Sequence, residues 1–167
     1  MVSSGSRLYY VYGVAPRGNI VFELYTQGAM RVIFLAREEA WRYGSSYIES
    51  EHLLLGILRE NEAVAAQIAG PAASFADLRR EVEGVTTTGQ PITERAEMPL
   101  SADSKRILNL AVEEAESLGQ KQVSLGHLLL GILRVETSAA ARILQSHGVT
   151  ILGLRQNARR DLRWADA

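Results

Sequence analysis

The chain has 167 residues and no cysteine. Disulfides and thiolate chemistry are thereby excluded, and the composition fits a reducing compartment. Excess positive charge is also lacking. Eighteen Lys and Arg stand against nineteen Asp and Glu, for a net charge of −1 and a pI of about 6.3. That balance leaves no basic footprint for nucleic acid. No apolar run approaches the ~20 residues needed to span a bilayer. The short run from Leu8 to Val14 is interrupted by three tyrosines and has no small-residue cleavage site, so it does not read as a signal peptide. The expectation is a cytoplasmic protein without membrane contact. Phosphate-binding and hydrolase signatures are missing as well. Neither G-x-x-x-x-G-K-[ST] nor G-x-S-x-G occurs. No cofactor, no metal and no enzymatic activity are expected.

What is present is a duplication. His52-Leu53-Leu54-Leu55-Gly56-Ile57-Leu58-Arg59 recurs letter for letter as His127-Leu128-Leu129-Leu130-Gly131-Ile132-Leu133-Arg134, 75 positions later. Around it, 18 of 41 residues of Ala29–Ala69 are identical to their counterparts in Ser104–Leu144. The leucines and isoleucine of the octapeptide cover nearly the whole helical circumference, which predicts a buried helix. A glycine inside a helix costs about 1 kcal/mol relative to alanine. Gly56 and Gly131 both accept that cost, which predicts close approach of another helix at each.

The flanking patterns complete two four-helix units. Ala29, Val32, Ile33, Ala36, Ala40 and Tyr43 make one apolar face, with Arg37, Glu38, Glu39 and Arg42 placed away from it. Gly44 ends that helix. Ser50 is the expected cap of the central helix, a short third helix follows over 63–69, and Ser74 caps a fourth with Phe75, Leu78 and Val82 inward. Ser101 caps the first helix of the second unit, with Ile107, Leu108, Ala111, Ala115 and Leu118 inward. A last helix begins near Thr150 and carries Leu152, Leu154, Leu162 and Trp164. The expected organisation is an extension over 1–21, repeat 1 over 22–84, a linker over 85–100, and repeat 2 over 101–164. The extension reads as a poorly ordered segment, an extra strand or a partner-binding arm. The fold class is all-α: two pseudo-twofold-related four-helix repeats in one eight-helix domain.

Few residues invite chemistry. His52 and His127 start equivalent helices and lack a metal-ligating residue at i+4, so they read as capping or packing residues. Glu38-Glu39 and Glu113-Glu114 are paired carboxylates about 100° apart on a helix. They read as a solvated face, or as a docking surface for a basic partner. Arg155, Arg159, Arg160 and Arg163 read as complements to a helix C-terminus on a solvated face, with an anionic-partner patch as the alternative. An enzyme built on Glu51 and His52 finds no nucleophile–base pair.

Ala36-Arg37-Glu38-Glu39-Ala40, Gly44 and Glu51 to Glu60 resemble the first Clp-N repeat of the Clp/Hsp100 unfoldases. Glu113-Glu114-Ala115, Gly119 and His127 to Arg134 resemble the second. The similarity runs from about Phe22 to Leu162 and is closest to ClpC-type N-terminal domains. It implies a compact all-α domain that, in the family, sits on an AAA+ ring and receives substrates and adaptors. With no AAA+ module in the sequence, the resemblance implies a stand-alone binding protein. Its partners would be a Clp unfoldase, an adaptor or an unfolded or modified client, engaged through a groove between the repeats. The alternative is a decoy that competes with a full unfoldase for adaptors, modified clients or small molecules. In ClpC-type domains an Arg, a Thr and a Glu of each repeat form a phosphoarginine pocket. Thr26 and Glu51 match that pattern in repeat 1, with Leu24 at the arginine position. In repeat 2, Ser101 stands for the threonine and Gly126 for the glutamate. Apart from the resemblance, Thr26 reads as an N-cap and Glu51 as a first-turn acid favoured by the helix dipole.

Overall fold

A computed structural model describes residues 20–160, apart from 72 and 94–96. The extension reading over 1–19 and the positions of Leu162, Arg163 and Trp164 lie outside the described residues. After a single 3-10 turn at Phe22–Leu24 come eight α-helices among the described residues. Repeat 1 supplies α1 (Gln27–Arg42), α2 (Ser50–Glu60), α3 (Glu62–Ala69) and α4 (Phe75–Val85). Repeat 2 supplies α5 (Ala102–Ser117), α6 (Leu125–Arg134), α7 (Ala139–Ser146) and α8 (Ile151–Arg160).

The duplicated octapeptide forms the two central helices, α2 and α6. Leu53 to Leu58 and Leu128 to Leu133 are buried without exception. Burying each such leucine or isoleucine contributes roughly 1.5–3 kcal/mol, so these two helices anchor one continuous core. The glycines behave as their spacing predicts. A Cβ on Gly56 would stand 2.5 Å from the carbonyl oxygen of Val32, and one on Gly131 would meet that of Ile107 even more closely. In both repeats the first helix therefore crosses the central helix backbone to backbone.

Helix starts are defined by local polar groups. Thr26 Oγ1 accepts from the Ala29 amide (3.2 Å) and Ser101 Oγ from the Ser104 amide (3.2 Å). Ser74 and Ser138 cap α4 and α7 in the same way. Ser50 does not cap α2 as expected; it is the first helical residue, and Glu49 holds the cap position. The His52 imidazole supplies the return contact, with Nδ1 accepting the Glu49 N–H at 2.9 Å. His127 does the same for the Ser124 N–H, also at 2.9 Å. The ring at the third helical position takes the part that a Glu or Gln plays in a capping box, so the capping reading of both histidines holds.

The paired carboxylates require a correction. Glu38 and Glu113 are exposed, but Glu39 is 0% and Glu114 2% exposed. Glu39 pairs with Arg59 (2.9 Å) and Arg79 (3.4 Å). Glu114 pairs with Arg134 (3.2 Å) and takes two bonds from Arg155, at 2.9 and 2.7 Å. Burial raises the Glu114 pKa, but Arg155 and Arg134 outweigh it and hold the carboxyl below its usual range. Arg155 is thus a clamp joining α8 to α5, not a member of a solvated arginine face. An unpaired carboxylate at such depth would be prohibitively costly; the arginines arriving from the central and last helices make the burial possible. Leu152 differs from Leu154 too: it is 68% exposed, whereas Leu154 is buried.

Candidate protein-binding site

Two extended segments decide which residues meet. Thr26 N–H donates to the Val123 carbonyl (2.9 Å), and Val123 N–H donates to that of Leu24 (2.7 Å). At the counterpart junction, Ile48 N–H donates to the Pro99 carbonyl (2.8 Å) and Ser101 N–H to that of Ile48 (3.1 Å). Each junction is one parallel bridge, Tyr25 with Val123 and Ile48 with Leu100. The repeats therefore exchange partners. The segment entering α1 is tied to the segment entering α6, and the segment entering α5 to the one entering α2.

This exchange sorts the five candidate residues into two sets. Thr26, whose hydroxyl caps α1, and half-buried Leu24 lie at the junction leading into α6, whose first turn holds buried Gly126. Ser101 lies at the junction leading into α2, whose first turn holds Glu51. Thr26 and Glu51 belong to the same repeat but to different junctions. That arrangement was invisible in the sequence, because it depends on two bridges between segments about 50–100 residues apart.

The two junctions differ in charge. Burial raises the Glu51 pKa, and the like charges of Glu49 and Asp103 push it the same way. The hydrogen bond from Ser50 Oγ to Glu51 Oε2 (3.1 Å) opposes the shift without cancelling it. Glu51 stands in the first turn of α2. Among the described residues no Lys, Arg or His forms an ion pair with Glu49, Glu51 or Asp103. At the other junction the position of Glu51 is taken by Gly126 and that of Glu49 by Ser124, so neither position carries a carboxylate.

A cleft of about 460 Å³ opens beside the start of α2. Its walls are the loop after α1 (Ser45, Ser46), the first turn of α2 (Glu49, Glu51, His52) and the segment after α4 (Thr87, Thr88). That last segment is fastened to the end of α1, with Gly89 N–H on the Tyr43 carbonyl (2.7 Å) and Ile92 N–H on that of Trp41 (2.9 Å). Gly44 makes the approach possible. Its φ is +67°, and a Cβ there would run into the backbone of Gly89 and Gln90. Burial lowers both His52 and His127 to a pKa of about 4, so both rings are neutral at pH 7. Among the described residues there is no group of three or more His, Cys, Asp or Glu side chains placed to hold a metal ion, and no helix long and apolar enough to cross a membrane.

Known proteins share this architecture. The family model "Clp repeat (R) N-terminal domain" matches residues 24–147. The chain is 38% identical over 139 residues to the chloroplastic chaperone protein ClpC1 of Oryza sativa subsp. japonica, covering 81% of this chain and 15% of the relative. It is 36% identical over 136 residues to the ClpA homolog, an ATP-dependent Clp protease ATP-binding subunit, of Porphyra purpurea, covering 81% and 16% respectively. The chain thus spans only about a sixth of the length of these curated relatives. Among solved structures, the N-terminal domain of ClpD from Arabidopsis thaliana superimposes with a TM-score of 0.66 at 25% identity, over 87% of this chain and 99% of that one. The Hsp104 N-terminal domain from Candida albicans shares the fold, with a TM-score of 0.63 at 19% identity over 83% and 91%. The chain belongs to the Clp repeat N-terminal domain family, the non-catalytic protein-interaction domain of Clp unfoldases.

Proposed function

We propose that this domain binds polypeptides of the Clp system, either an adaptor or a client destined for a Clp unfoldase, at the junctions where the two repeats exchange their extended segments. The binding face lies between the repeats, with Ser101, Glu51 and Asp103 at one junction and Leu24, Thr26 and Gly126 at the other. The reading is carried by Glu51, a partly buried carboxylate beside two like charges and without a basic partner among the described residues. The two buried acids of the described fold, Glu39 and Glu114, have arginines around them. A group held at electrostatic cost without a structural counter-ion is a sign of a recognition site. Cysteine-free composition agrees with action in the cytoplasm.

Placement of a photo-crosslinker tests this reading. Installed at exposed Asp103, beside the Glu51 junction, it is expected to capture a Clp component or a defined set of clients. Installed at exposed Glu116, at the far end of the same helix, it is expected to capture neither. Equal capture from both positions, or none from Asp103, contradicts the reading.

A further inference from the structure

The outer face of α1 carries an aromatic patch that the core does not use. Phe34 stands on it, 49% exposed. Phe22, from the 3-10 turn before α1, stacks on Phe34 with ring centroids 5.7 Å apart and planes 4° from parallel. The Arg37 guanidinium lies 5.7 Å from the Phe34 ring centre. A cation held over an aromatic face gains strength when the pair is removed from water. Two charges of opposite sign flank the rings. Glu23 follows Phe22 in the chain and is exposed. Arg37 is half-buried, and its Nε is enclosed without a hydrogen-bond partner. Neither residue forms an ion pair among the described residues. Other charges of α1 are already matched, Arg31 by Glu60 and Glu38 by Arg59. Repeat 2 has no such patch. The residues 75 positions after Phe22, Glu23, Phe34 and Arg37 are Glu97, Met98, Asn109 and Val112.

We propose that this patch is the contact of a twofold dimer, with a second copy of the chain as its occupant. An unpaired acid and an unpaired arginine on one aromatic patch make it self-complementary. About a twofold axis, Glu23 pairs with the partner's Arg37 and Arg37 with the partner's Glu23, while the two Phe34 rings pack between them. A partner with charge of one sign would satisfy one end of the patch and repel the other. Because repeat 2 lacks the patch, each copy offers one such surface, and association closes at two instead of growing into a filament. So few side chains fall well short of the roughly 20–30 residues a side of a stable interface. The dimer is therefore weak and depends on concentration. It stands independently of the polypeptide-binding reading.

Sedimentation velocity of the full chain over a concentration series tests the proposal. The parent is expected to pass from monomer to dimer and no further. F34N installs the repeat 2 residue at an exposed position and should weaken self-association about tenfold, the loss expected of a central aromatic anchor. E23R and R37E each set like charges against one another across the axis and should stay monomeric alone. Mixed in equal amounts they should form a heterodimer, because both ion pairs are then restored. Circular dichroism checks that each variant is folded. F34N and E23R change exposed positions, so they decide the matter even if R37E does not fold. The proposal is overturned if the parent stays monomeric at the highest concentration reached or grows beyond a dimer. It is equally overturned if F34N or E23R dimerises like the parent, or if two folded charge variants stay monomeric when mixed.

Discussion

The two repeats share a frame and differ at its edges. Both have a glycine crossing between the first and central helices, a histidine at the third position of the central helix, and a buried glutamate clamped by an arginine of the last helix. These features are repeated because they solve the same packing problem twice. The differences lie elsewhere. Repeat 1 has Glu51 where repeat 2 has Gly126. The last helices are also clamped differently: Arg79 bonds Glu39 at 3.4 Å and its bond to Glu83 stays within α4, whereas Arg155 reaches Glu114 at 2.9 and 2.7 Å. Residues that agree between the repeats therefore report on stability, and residues that disagree report on recognition.

The largest expected effect comes from breaking the buried charge clusters. Removing one partner of a buried ion pair leaves the other charge unmet and costs about 3–5 kcal/mol. Glu39→Ala is expected to fall in that range. Glu114→Ala should cost less, roughly 2 kcal/mol, because the stranded Arg155 reaches solvent more readily than Arg79. Chemical denaturation of both variants ranks them, and equal losses would show that the last helices are anchored alike.

Acid comes next, and should affect both repeats together. His52 and His127 each drop from an ordinary pKa of 6.5 to about 4 in the fold through burial. The unfolded chain therefore binds their protons first. Stability from the neutral rings is fully present above pH 6.5 and is lost as the pH falls toward 4. The loss is on the order of 3 kcal/mol per histidine. Replacing both with glutamine, which retains an acceptor for the Glu49 and Ser124 amides, should flatten the stability profile between pH 6.5 and 4. An unchanged slope would assign the acid sensitivity to other groups.

Smaller effects follow at the crossings. Gly56→Ala and Gly131→Ala each gain helix propensity but force a methyl against a backbone carbonyl, for a net cost of about 2 kcal/mol apiece. Near-equal melting temperatures for the two variants would support the shared frame. The smallest effect distinguishes the repeats. Because burial raises the Glu51 pKa, its charge destabilises the fold as pH rises above its unfolded-state value. Glu51→Gln should therefore raise the melting temperature slightly at pH 7, and the gain should vanish near pH 4. A loss of stability at pH 7 would mean that Glu51 serves the fold rather than a ligand.

Much of this architecture was legible in the sequence, since helical period, glycine position and capping residues act locally. Eight helices, the crossings at Gly56 and Gly131, and the caps at Thr26, Ser74 and Ser101 all follow from such signals. The buried glutamates did not, because a charge on a helix reads as solvated until its partner is known, and Arg79 and Arg155 lie some 40 residues away. Ser50 misled because serine is a strong cap, whereas the box was closed by an imidazole that sequence rules assign to Glu or Gln. The regrouping of Thr26 with Gly126 and of Ser101 with Glu51 arises from two bridges between repeats, which no local pattern encodes.

The most direct test compares the two junctions in one titration. Amide shifts of the full chain with an unfolded client polypeptide should be larger at Glu51 and Asp103 than at Gly126 and His127. Shifts of equal size at both junctions, or at Gly126 alone, would contradict the claim that recognition lies where the repeats differ.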